Sequence, residues 1–130
     1  MAAPVVRDAV AHAVQVLTSL PAPVRGFRRG DPAGRAVIVR DTGGPRVTPA
    51  HTAHQMTVTA WGKSPDDDTA ARALAADALA LIEASEGGNF GGAPCSAVLV
   101  VSIPYLDPDS VTGRARYSFT VRVTLRNLNA

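Results

Sequence analysis

Two histidines three residues apart, His51 and His54, are the first side chains in this 130-residue chain whose spacing suggests chemistry. A metal site needs a third ligand, and the neighbouring sequence offers none. Asp66, Asp67 and Asp68 could attract a hard cation, but acids there also complement the positive end of the helix that follows. Asp107 and Asp109, set among Pro, Ser and Gly, read as an ordinary turn. The Gly-Gly-Asn-Phe-Gly-Gly run at 87–92 resembles a phosphate cradle only in glycine content. It follows a helix instead of opening one, has no Lys-Ser/Thr end, and reads as a hinge loop. Cys95, the only cysteine, begins an apolar run and reads as a small core residue in a reducing compartment. No Ser/His/Asp or Cys/His arrangement has an activating context. The expectation is no catalytic residue, no cofactor and no metal.

The arginines are more informative. Six fall within 25–46 against two aspartates, and four within 114–126 with no acid, whereas 66–86 holds six acids and Arg72. Twelve of the thirteen basic residues are arginine, the side chain suited to bidentate pairing with carboxylates or phosphates. Arg116, Ser118, Thr120, Arg122, Thr124 and Arg126 alternate with Tyr117, Phe119, Val121, Val123 and Leu125. That period of two predicts a long strand with one oily face and one wet, basic face. The basic face admits three readings: a solvated surface, a subunit interface, or a nucleic-acid contact. Sequence-specific readers add exposed aromatics, and Trp61 is the one stacker the pattern leaves free.

The elements that position these residues follow from periodicity. A helix is expected over residues 4–20, with Val6, Val10, Ala13, Val14, Leu17 and Leu20 inward and His12 on the solvated side. Residues 24–27 and 36–40 form a loose hairpin in this reading, followed by a long irregular segment, 41–54, broken by Gly43, Gly44, Pro45 and Pro49. Residues 55–61 alternate as a strand with Met56, Val58 and Ala60 inward. Ser64 caps a second helix running to about Glu86. Leu74, Ala78 and Leu81 face inward, flanked by Ala71 and Ile82, while Leu79 stands on the exposed side with Arg72 and Glu83. Residues 95–103 are apolar on both faces, as in a central strand covered on both sides. Two helices must then cover one face each, or a neighbouring subunit covers one. The expected class is α+β: a mostly antiparallel sheet of four or five strands with two helices, ordered α-β-β-α-β-β.

The length fits one domain, able to bury roughly two-thirds of its unfolded surface. With 46% hydrophobic and 18% charged residues the composition is globular. No apolar run approaches the ~20 residues of a membrane span, so no membrane partner is expected. Arg7 and Asp8 occupy the place where a signal peptide needs an apolar core, so export is not expected.

One larger pattern stands out. An N-terminal helix precedes Val39-Arg40-Asp41-Thr42-Gly43-Gly44-Pro45-Arg46. A Thr-Val-Thr-Ala-Trp strand (57–61), an Ala/Leu helix, Leu106-Asp107-Pro108-Asp109-Ser110 and Arg116-Tyr117-Ser118-Phe119-Thr120-Val121 follow in order. Across nearly the whole chain this order resembles the tail terminator, or tail completion, proteins of long-tailed bacteriophages. The resemblance implies a non-enzymatic virion protein of the tail or neck, assembled in the host cytoplasm. Such a protein acts as a self-associated, six-membered ring that caps the tail tube protein, halts tube growth and offers a docking surface to the head-tail connector. DNA would pass through the ring without sequence-specific binding. Head-closure and adaptor proteins of the neck share this size and fold class and are the alternative, with a sheet-based nucleic-acid-binding module a further one.

A ring needs a heterologous interface, and segregated charge supplies one. On this reading Asp77, Leu79 and Glu83 of the second helix meet arginines of the next copy, among them Arg40, Arg46, Arg116, Arg122 and Arg126. The 41–54 segment, with Arg46, is expected to act as an arm that orders on the tube end.

Overall fold

The computed structural model describes residues 3–130 and has the α+β class expected. Its elements are α1 (Ala9–Val16), β1 (Val24–Gly26), β2 (Ala36–Gly43), β3 (Arg46–Thr48), β4 (His51–Trp61), α2 (Asp68–Glu83), β5 (Asn89–Phe90), β6 (Ala93–Leu106) and β7 (Arg116–Arg126). The sheet is mixed and has seven strands, against the four or five expected. The main path runs β1-β2-β4-β7-β6-β5, with β3 paired to β4 off that path.

β7 sits at the middle of the sheet because its oily face is the longest. Phe119, Val121, Val123 and Leu125 are fully buried, facing Met56 and Val58 of β4 and Val37 and Val39 of β2. Both helices lie on this side. α1 contributes Ala9 and Ala13, and α2 contributes Ala71, Leu74, Ala75, Ala78 and Ile82. Small residues let α2 sit close to the strands, as the alanine content implied. The result is two layers: helices over one sheet face and none over the other. β6, expected to be covered on both sides, has no helix on its second face. Beyond the two residues that pair with β5, its outer edge has no partner strand among the described residues. Leu99 and Ile103 are accordingly 57% and 71% exposed.

Other departures from the sequence reading have local causes. α1 begins at Ala9, not at Pro4, because Asp8 accepts from the Ala11 amide and caps it. Val5 instead exchanges backbone hydrogen bonds with Leu128. α2 begins at Asp68 rather than just after Ser64, because the Asp67 carboxylate accepts from the Lys63 amide and fixes residues 63–66 as a turn. Leu79 is half-buried against the core, not an exposed contact residue. β1 and β2 are parallel, not a hairpin, since residues 27–35 cross over the bare face and re-enter from the same end.

The 41–54 segment is not a loose arm. β2 continues to Gly43, β3 zips onto β4, and Gly44 (φ +155) fits beneath the Ala53 carbonyl, where a Cβ would lie 1.9 Å from its oxygen. The 87–92 hinge is a hairpin. Gly91 and Gly92, both at positive φ, make its two-residue turn, and Phe90 is fully buried. His12, expected in solvent, is half-buried and bonds through Nδ1 to the Gly91 carbonyl at 2.7 Å.

Candidate functional site

The bare face is built by register. Pairing places Thr57 opposite Thr120, Thr59 opposite Ser118, Gln55 opposite Arg122 and Trp61 opposite Arg116. The hydroxyls link across the strands, Thr57 to Thr120 at 3.2 Å and Thr59 to Ser118 at 3.1 Å. Ser118 also donates to Asp107 at 3.1 Å, which spends its one hydrogen and makes Thr59 the donor of their bond. This polar ladder is half-buried and self-satisfied, which a freely solvated face would not be.

At the Trp61 end the crossover segment turns this face into a cleft of about 520 Å³. Arg114 holds the segment in place. Its guanidinium donates to the carbonyls of Pro32, Gly34 (3.0 Å) and, twice, Gly62 (3.1 and 2.7 Å). Asp67 adds a second anchor, accepting both forks of Arg35 at 2.8 Å. Trp61, only 6% exposed, has the guanidinia of Arg114 and Arg116 stacked on it, each 4.8 Å from the ring centre. It is therefore not a free stacking surface. Arg116 is tied down further by a bond to the Asp107 carbonyl (2.8 Å) and by Asp107 and Asp109 carboxylates at 3.6 Å.

Five arginines (25, 28, 29, 40 and 116) and two carboxylates (31 and 107) line the cleft. Arg28, Arg29 and Arg40 form no ion pair among the described residues. Arg40 stacks on Phe27 at 4.8 Å. Of the arginines proposed from sequence, Arg40 and Arg116 come together here. Arg122 lies farther along β7, bonded to Gln55 at 2.9 Å, with its buried Nε unpartnered among the described residues. Arg126 is roughly 33 Å from Arg116 along the strand, counting ~3.3 Å per residue, at the His51 end. Arg46, on β3, belongs to that end too. Asp77 and Glu83 are exposed on α2, in the opposite layer.

Sequence reasoning missed Phe27 and Tyr105 as cleft walls, and missed Arg25, Arg28 and Arg29 as members of the same face as Arg116. The adjacency of Phe27, Arg28 and Arg29 before a Gly-Asp-Pro turn was the available signal. The histidine pair is separated by the sheet itself. His51 lies opposite Arg126 on the bare face, and His54, opposite Val123, is buried on the helix side. Among the described residues no group of three or more His, Cys, Asp or Glu side chains is placed to hold a metal ion. Burial pushes the Cys95 thiol above its ordinary pKa, keeping it protonated at neutral pH. Among the described residues no helix is long and apolar enough to cross a membrane.

Three groups set the acid side of the stability curve: Asp67, His54, and Asp109, whose carboxyl is held below its ordinary range by hydrogen bonds from the Thr112 hydroxyl and amide. The hydrogen bond from Arg35, then that from the Lys63 amide, holds the Asp67 carboxyl well below the usual carboxylate range. A depressed carboxylate stabilises the fold fully above its unfolded pKa of about 3.9, and that stabilisation is lost as pH falls through the folded value. Burial lowers the His54 pKa, so stability already begins to fall below about pH 6.5, where the unfolded imidazole charges first. Urea titrations from pH 7 to 2 should show both declines, and Asp67→Asn should shrink only the lower one, leaving the part due to Asp109.

No protein-family model matches this chain, and no curated protein is significantly similar to it in sequence.

Proposed function

We propose that this chain is a structural ring subunit that caps a phage tail tube, ends tube polymerisation and presents the surface for head docking. The observation that carries the reading is the division of the domain into unlike faces. Exposed acids ride on the helix layer, while arginines and an uncovered apolar strand mark the bare sheet layer. A closed ring of identical copies requires two such different, complementary patches on each subunit. Like-signed faces would also reject the wrong register, so charge sets geometry more than strength.

The assignment of partners within the interface follows from which arginines are uncommitted. Arg114 and Arg116 are spent inside the fold. Arg46, and Arg126 whose Nε alone is taken up by the Ala130 carbonyl, are exposed at the His51 end and are the partners for Asp77 and Glu83 of the next copy, with Leu99 and Val101 of β6 buried in the same contact. Leu79 takes no part in this contact, and Arg46 acts from a paired strand rather than from a flexible arm. The further partners are the tube protein on one side and a head-side connector on the other, with DNA traversing the ring unread.

A charge swap tests this. Asp77→Lys with Glu83→Lys is expected to abolish tail completion, giving tails of uncontrolled length and unjoined heads. Adding Arg46→Glu and Arg126→Glu to the same chain should restore a large part of it. Normal virions from the double acid-reversal variant would refute the interface.

A further inference from the structure

The cleft at the Trp61 end has a chemistry that subunit contact does not use. We infer that it binds a single-stranded nucleic-acid segment, with phosphates on Arg28, Arg29 and Arg40 and bases against Phe27 and Tyr105. Arg116 is answered by Asp107 and Asp109, which leaves Arg25, Arg28, Arg29 and Arg40 facing Asp31 as the one other carboxylate lining the cleft. An isolated carboxylate would leave most of that positive charge unanswered, whereas successive phosphates supply it at every step along a strand.

The aromatic walls decide between an acidic peptide and a nucleic acid. Phe27 is 63% exposed and Tyr105 50% exposed, although both line the cleft. Arg40 covers part of the Phe27 ring, but a run of acidic side chains has no use for the rest of that exposed ring or for Tyr105, whereas bases stack on aromatic faces regardless of sequence. Phe27 follows β1 and Tyr105 belongs to β6, so four strand spacings, roughly 19 Å at ~4.8 Å each, separate their elements along the sheet path. That exceeds the width of one base and suits a strand laid across β2, β4 and β7. The hydroxyls of Thr57, Thr59 and Ser118 form the floor between the walls. The buried Trp61 ring, with two arginines stacked on it, stiffens that floor instead of stacking on ligand.

This inference stands independently of the ring, because the isolated chain tests it. Fluorescence anisotropy would compare a labelled twelve-nucleotide oligothymidylate, a duplex of the same length and polyglutamate, between about 50 and 200 mM salt. The single strand is expected to bind tightest. Tyr105→Ala and Phe27→Ala, both surface changes, should each weaken it by roughly tenfold. Arg28→Ala should reduce the log–log salt slope by about 0.7, the loss of one phosphate contact. Arg72→Ala, exposed on the helix layer away from the cleft, should change nothing. Equal binding of duplex, preference for polyglutamate, indifference to the two aromatic substitutions, or no binding at all would each overturn the assignment.

Discussion

Arg114→Ala is expected to lower unfolding free energy by about 2–4 kcal/mol, since hydrogen bonds to a charged group contribute more than neutral ones. One guanidinium there spans three carbonyls that no other described side chain reaches, and it covers a face of Trp61. For a domain of this size that corresponds to a fall in Tm of roughly 10 °C. The damage should be local as well as global, because residues 27–35 lose their attachment to Gly62 while Arg35 still holds Asp67. Limited proteolysis should then cut first near Arg28 and Arg29. Arg114→Lys should recover little, as a compact ammonium cannot reproduce the planar fork. A melting temperature within about 2 °C of wild type would show that the crossover is held by something else.

The second large effect concerns the seat of α1. Gly91 sits at φ +55 with its α-carbon against the first helix, and an added Cβ would lie 2.1 Å from the His12 carbonyl oxygen. Backbone cannot yield there without moving α1 off Phe90 and breaking the His12–Gly91 bond. Gly91→Ala is therefore expected to cost about 2–4 kcal/mol, in the range of overpacked core substitutions with added backbone strain. Gly92→Ala is the matched control. It has the same kind of positive φ (+90) but open space around the Cβ, so only strain of about 1–2 kcal/mol applies. Hydrogen exchange should report faster opening of α1 in the first variant alone. Equal destabilisation of the two would mean that strain, and not the contact with His12, governs this turn.

The long periodic segments announced themselves. β7 and residues 55–61 of β4 alternate over enough residues for the oily face to be read directly, whereas 51–54, the start of β4, reads as irregular. The spacing in α2 gives its inward side, although Leu79 and Leu81 are half-buried and Ile82, expected at the flank, is fully buried. The short elements did not. β1, β3 and β5 have two or three residues each, too few to show a period, and their existence depends on what they pair with. β3 forms because Gly44 allows the chain to tuck under Ala53, and β5 because two glycines accept a turn closed to other residues. The basic face was legible from Arg116 and Arg122. Its conversion into a cleft was not, because Phe27, Arg28 and Arg29 arrive through a parallel crossover that local pattern predicts as a hairpin. Tyr105 joins them only because bulges in β6 shift its register against β7. Which arginines are free was also invisible: Arg114 and Arg116 have the same sequence context as Arg126, yet two are internal fasteners.

The most direct measurement is electron microscopy of purified protein mixed with polymerising tail tubes. Rings should seat on one tube end and halt growth of those tubes, while tubes mixed with the Asp77→Lys, Glu83→Lys chain should keep growing. Tubes that remain uncapped and lengthen equally in the presence of the wild-type protein would contradict the capping role.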